Sequence, residues 1–125
     1  MDEKKKILIV EDELDFAKMV KIRLESVGYA IDIALDTYQG TQMICKNDFD
    51  LVILDLMIPA GGGFTLLNRI RKMPAKSTIP VVILTGKQIT NEIKANAKDN
   101  DVAVVFTKPY NSKQFVKKIK SLVPE

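Results

Sequence analysis

LVILDLMIPAGGGF, residues 51–64, decides how this chain folds. Leu51–Leu54 is an unbroken apolar run that stops at Asp55, followed by turn residues and a segment of helical spacing, Phe64–Lys72, that ends before Pro74. A short apolar run bounded by turn signals reads as a strand buried on both faces, which is the habit of parallel sheets covered by helices. The pattern recurs to either side. Ile7–Val10 runs into Glu11-Asp12, Val81–Leu84 into Thr85, and Val102–Phe106 into Thr107-Lys108-Pro109, while Ala30–Ala34 alternates like an edge strand.

Helical segments separate these runs. Leu14–Val27 aligns Phe16, Val20, Leu24 and Val27 on one stripe, with Gly28 placed to end it. Asp36 caps Thr37–Lys46, and Asn47 ends it. Asn111, with Gln114 three residues on, opens Ser112–Val123, which Pro124 stops. Gln88–Asn100 carries only Ile89, Ile93 and Ala97 as a thin stripe, so it is expected to be the loosest element. Five strands alternating with five helices predict an α/β fold, a three-layer doubly wound domain with a five-stranded parallel sheet.

Composition agrees with this reading. The chain has 125 residues, 46% hydrophobic and 28% charged, enough for one ordinary domain over 1–125 and no more. Cys45 is the only cysteine, and MDEKKK leads into just four apolar residues, which points to a reducing, cytoplasmic setting with no export signal. No run approaches the roughly 20 apolar residues of a membrane span. Net charge is +3, with the basic excess in residues 87–125, where the lysines of SKQFVKKIKSLV read as the wet face of a helix. There is no histidine, which removes Ser-His and Cys-His catalysis and the usual zinc sites. Carboxylates, hydroxyls and lysine are left to do any chemistry.

Those groups cluster by position. In a parallel sheet, ligands sit beyond the C-terminal strand ends, and that is where Glu11, Asp12, Asp55, Thr85 and Lys108 fall. Any one of the acids alone reads as a helix cap or turn residue, Asp12 for the helix beginning at Glu13 and Asp55 for its turn. Together they read differently. Like charges about 4 Å apart repel by about 4 kcal/mol at an effective dielectric of 20, so the group calls for a cation. Oxygen ligands favour Mg²⁺, with Mn²⁺ as a substitute. A cation, an ammonium and a hydroxyl around a carboxylate suit an incoming phosphoryl group, with Asp55 as nucleophile and Gly86 leaving its approach open.

The ordered set ILIVEDE, LVILDLMIPAGGGF, VVILTG and VVFTKPY resembles the receiver domains of two-component response regulators over nearly the whole chain. The resemblance implies a flavodoxin-like sheet of order 2-1-3-4-5. It also implies that Asp55 accepts a phosphoryl group from a histidine kinase or a histidine phosphotransfer protein. Glu11, Asp12, Asp55 and the backbone carbonyl of Met57 would bind the metal, and Thr85, Gly86 and Lys108 would meet the phosphoryl oxygens. Pro59 and Gly63 match the turn after the acceptor, and Lys108-Pro109 matches a peptide commonly cis in the family. Val105 stands where the family usually has a switch aromatic, and Phe106, one step along, faces the other way. Asn100-Asp101 replaces a glycine-containing turn.

Phosphorylation is expected to draw the Thr85 hydroxyl inward and shift the fourth helix, altering the face made by helix 4, strand 5 and helix 5. Met57 and Lys87 are the positions expected to tune dephosphorylation, giving a slow to moderate rate. A downstream protein target is expected, with self-association through the same face as an option and no nucleic-acid or membrane partner. No output domain is expected, and the chain is not read as a turnover enzyme. A carboxylate phosphatase would need an acid where Met57 stands, and a flavin carrier would not place EDELD in its phosphate loop. The alternative is a degenerate receiver that works as a phosphorylation-independent interaction module.

Overall fold

The computed structural model describes residues 3–124. In chain order the elements are β1 (Lys6–Val10), α1 (Leu14–Glu25), β2 (Ala30–Ala34), α2 (Thr37–Lys46), β3 (Leu51–Leu54), α3 (Gly63–Lys72), β4 (Val81–Thr85), α4 (Asn91–Asp99), β5 (Val104–Thr107) and α5 (Ser112–Leu122). All strand pairs are parallel and the sheet order is β2-β1-β3-β4-β5. This is the flavodoxin-like arrangement.

Strand alternation divides the core into two layers. Ile7 and Ile9 of β1, Leu51 and Ile53 of β3, and Val82 and Leu84 of β4 face a cluster completed by Val20 and Leu24 of α1 and Phe115 and Ile119 of α5. Leu8, Val10, Val52 and Leu54 face the other way, onto Ile44 of α2 and Leu66, Leu67 and Ile70 of α3. Every residue from Ile7 to Val10 and from Leu51 to Leu54 is at most 2% exposed, so neither run needs a polar face. A fully buried aliphatic side chain contributes about 1.5–3 kcal/mol. Helix α4 shares only a small cluster, Ile93 and Ala97 against Leu56 and Ile83, edged by Ile89, Val102 and Val105.

Caps fix several of the predicted boundaries. Gln39 N–H donates to Asp36 at 2.7 Å, and Gln114 N–H donates to Asn111 at 3.0 Å. Gly28 adopts φ 104°, the left-handed turn that favours glycine.

Other boundaries move. Helix α1 stops at Glu25, not Val27, because the chain tightens there, with Val27 N–H on Leu24 O at 3.2 Å and Gly28 N–H on Glu25 O at 3.1 Å. Helix α4 begins at Asn91, not Gln88, where Thr90 Oγ1 accepts from Ile93 N–H at 3.1 Å. It ends at Asp99, and strand β5 waits until Val104, because Asp101 and Val102 are still bonded back to Lys98 and Ala97. Asp101 takes φ 55°, so it does the work of the glycine absent from this turn. Strand β4 extends one residue to Thr85, α3 starts one earlier at Gly63, and α5 ends at Leu122 with Val123 as its cap.

Candidate functional site at the sheet end

Helices α1 and α5 lie on one face of the sheet, and α2, α3 and α4 on the other, so the winding reverses between β1 and β3. The crevice at such a reversal opens beyond the C-terminal strand ends. Glu11 leaves β1 there and Asp55 leaves β3, with the Asp55 N–H on Val10 O at 3.0 Å. Thr85 ends β4, and Lys108 follows β5, with its N–H on Thr85 O at 2.9 Å. Residues 97 positions apart thus share one site.

Glu11 and Asp55 are buried, at 3% and 5% exposure, and Thr85 is fully enclosed. Buried charge must be paired, and here it is. Lys108 Nζ donates to Asp55 Oδ2 at 3.0 Å and to Glu11 Oε1. Thr85 Oγ1 donates to Asp55 Oδ1 at 2.7 Å, and that same oxygen accepts from Met57 N–H at 3.0 Å. The second oxygen of Glu11 accepts from Glu13 N–H at 3.1 Å. Burial is the chief reason the Glu11 carboxyl sits above its ordinary pKa of 4.5, despite the opposing pull of Lys108. Burial also acts to lower Lys108, but its bonds to Glu11 and Asp55 outweigh that and hold it above 10.5.

Asp12 is exposed, yet Glu11, Asp12 and Asp55 each offer one carboxylate oxygen within 4.8 Å of the others. Three converging oxygens, two from buried residues, form a donor set that fits a hard divalent cation. The capping reading of Asp12 is not seen: α1 has no side-chain cap, and Glu11 takes the Glu13 amide. Asp55 does brace its own turn through Met57, so for this residue the turn role and the clustered role coexist.

Around these groups the loops are shaped by contact. Gly63 is buried against Asp55, and an added Cβ would collide with the Asp55 carbonyl oxygen and lie 2.8 Å from Leu56 Cα. Ala60, Gly61 and Gly62 all have positive φ in the turn ahead of it. Gly86 is exposed, with only Lys108 Cδ near a hypothetical Cβ, at 3.9 Å. The Lys87 N–H donates to Thr85 Oγ1 at 3.2 Å while its side chain is in solvent. The Met57 side chain is 60% exposed. The peptide between Lys108 and Pro109 is cis.

Val105 faces the α4 cluster and Phe106 faces Phe115 on the opposite side, as the strand period requires. The expected inward movement of the Thr85 hydroxyl has little distance left to cover, because that hydroxyl already bonds Asp55.

Two residues escape sequence reasoning, one at the site and one at the opposite end of the sheet. Phe16, read only as part of a core stripe, lies under the Lys108 ammonium, 4.3 Å from ring centroid to Nζ. Arg71, which no motif marks, donates to the carbonyls of Asn100 at 2.7 Å, Ile79 at 2.6 Å, Ser77 at 3.2 Å and Asp101 at 3.4 Å, tying α3 to the turn after α4.

Comparison with known proteins places this geometry in a family. The family model for the response regulator receiver domain matches residues 7–120, and the chain belongs to that family. It is 32% identical over 115 residues to the transcriptional regulatory protein DltR of Streptococcus agalactiae, covering 92% of this chain and 50% of that protein. The chain thus spans about half the length of the curated relatives it matches.

Among solved structures, the signal receiver domain of a DNA binding response regulator from Colwellia psychrerythraea superposes with a TM-score of 0.88 at 31% identity, covering 98% of this chain and 100% of that one. Chemotaxis protein CheY4 of Vibrio cholerae gives 0.88 at 25% identity, covering 97% and 100%. Receiver domains are signalling modules of two-component systems. They take phosphoryl groups from histidine kinases and bind Mg²⁺ through acidic residues. Because relatives carry the names of transcriptional regulators, the expectation of no nucleic-acid connection finds no support. No helix among the described residues is long and apolar enough to cross a membrane.

Proposed function

We propose that Asp55 is the phosphoacceptor of a phosphorelay. One observation carries this reading: a buried carboxylate at the reversal of the sheet, braced by the Thr85 hydroxyl at 2.7 Å and the Lys108 ammonium at 3.0 Å, beside two more acids. A carboxylate oxygen of Asp55 attacks phosphorus and forms the new P–O bond, while the bond to the leaving group breaks and its electron pair departs with that group. From a phosphohistidine protonated on its other ring nitrogen, the leaving group is neutral imidazole. The Lys108 ammonium and the Thr85 hydroxyl are positioned to take the phosphoryl oxygens, over which the charge spreads, and Gly86 leaves the approach open. Glu11, Asp12 and Asp55, with the Met57 carbonyl, would hold Mg²⁺ or Mn²⁺. Such an ion offsets negative charge between carboxylate and phosphoryl oxygens.

The donor is a sensor histidine kinase or a phosphotransfer protein. Thr85 passes the change on through its bond to the Lys87 N–H, into the segment leading to α4. The face of α4, β5 and α5, with Val105 in place of an aromatic, then meets a protein target or a second copy. Met57 and Lys87 border the path of water and set the lifetime of the phosphorylated state. This receiver domain works in the cytoplasm and turns over no substrate of its own.

Incubation with acetyl phosphate and Mg²⁺, read by intact mass, should add one phosphoryl group, and Asp55→Asn should add none. Amide exchange in residues 86–101 should change on phosphorylation. No Mg²⁺-dependent adduct on the unaltered protein would leave the degenerate interaction module as the better reading.

A further inference from the structure

We infer that Phe16 is a positioning residue for Lys108, an aromatic wall that keeps the ammonium at the site when its carboxylate partners are drawn elsewhere. This rests on Asp55 being the phosphoacceptor and adds a residue to that site.

Lys108 Nζ is held on one side by Glu11 and Asp55 and lies 4.3 Å from the centroid of the Phe16 ring. A cation within about 6 Å of a ring centroid is attracted by the electron-rich face. The ring is itself fixed. Tyr110 meets it at 6.0 Å and 80°, Phe115 meets Tyr110 at 4.9 Å and 62°, and Phe106 meets Phe115 at 5.3 Å and 73°. Phe115 is fully buried, so the chain of rings runs from the core of α5 to the site. Edge-to-face packing of this kind fixes ring orientation as well as burying area.

The carboxylate bonds cannot last through the reaction. As Asp55 forms its bond to phosphorus and the leaving group departs with its electrons, its charge is redistributed, and a metal ion would compete for the Glu11 oxygens. The Phe16 face has no part in either event. It keeps its hold on Lys108 while the carboxylate bonds give way to phosphoryl oxygens, and a long lysine side chain otherwise loses rotamer freedom each time it is ordered.

Phe16→Leu retains apolar bulk and removes the ring face, whereas Phe16→Trp retains the face. With acetyl phosphate and Mg²⁺, Phe16→Leu should lower the saturating rate of adduct formation roughly two- to fivefold with half-saturation little changed, and Phe16→Trp should restore it. In a Lys108→Met background, Phe16→Leu should have no further effect. Independently of phosphorylation, the Lys108 side-chain methylene protons should show upfield ring shifts in NMR spectra that vanish in Phe16→Leu. Thermal unfolding confirms that each variant is folded.

Equal rates for the Leu and Trp variants, a further loss in the Lys108→Met background, or unshifted methylene protons would overturn the role of Phe16 while Asp55 stands. No adduct on the unaltered protein would overturn the parent reading, and this one with it.

Discussion

At β4 and β5 the two faces of the sheet support the site very differently. On the side of α1 and α5, Phe115 and Ile119 are fully buried among Ile7, Ile9, Leu51 and Ile53, and the ring chain to Phe16 grows out of that core. On the other side, at β4 and β5, α4 rests on Ile93 and Ala97 against Leu56 and Ile83. Lys108 is reached through the thick side, and Thr85 leads through Gly86 and Lys87 to the thin one. The difference teaches a division of labour. Groups that must hold their geometry are anchored where packing is extensive, and the segment best able to respond is attached where displacement costs least.

Truncations set the comparison at its widest. Phe115→Ala should lose about 3–5 kcal/mol of stability, whereas Ile93→Ala should fall near the lower end of about 2–5 kcal/mol, because its few neighbours can settle into the gap. Urea unfolding measures both, and equal losses would break the contrast. Arg71 tests how the thin side is tethered. Arg71→Gln removes the guanidinium that four backbone carbonyls share, at an expected cost of about 1–3 kcal/mol. Amide exchange should then quicken around residues 99–103 more than at the start of α4. An even increase along α4 would show that its C-terminal end is not pinned.

The smallest effect is on pH dependence, measured in EDTA. Lys108 has its pKa raised in the folded protein, so its stabilisation is complete below about 10.5 and is lost as pH climbs through the folded-state value. Glu11 is also raised, chiefly by burial, so it costs stability above its folded-state value, and the cost eases as pH falls toward 4.5. Melting midpoints from pH 4 to 11 should show a steeper alkaline decline in the unaltered protein than in Lys108→Met. Parallel curves would mean that Lys108 adds nothing to the stability of the metal-free site.

Strand and helix placement followed closely from residue type because each fully buried run is too apolar to be anything but a central strand, and Asp36 and Asn111 are short polar caps before an apolar stripe. Ile7–Val10, Leu51–Leu54, Asp36 and Asn111 needed no partner to be understood. The start of β5 was read too early for a local reason: Val102 looks like strand but bonds back to Ala97, and Asp101 turns left-handed where no glycine announces it. Arg71 and Phe16 were illegible, since an arginine at a helix end and an aromatic on a helical stripe are ordinary in isolation.

By itself, the sequence determined which residues stand at strand ends and therefore that Glu11, Asp12, Asp55, Thr85 and Lys108 share one edge of the sheet. Only the tertiary structure decided how they pair: that Lys108 lies between Glu11 and Asp55, that Thr85 already bonds Asp55, and that a ring from α1 closes over the ammonium. The reason is physical. Strands and their ends follow from periodicity along the chain, whereas the partner of a buried charge depends on side chains brought together from distant positions, where burial leaves each charge no water to fall back on.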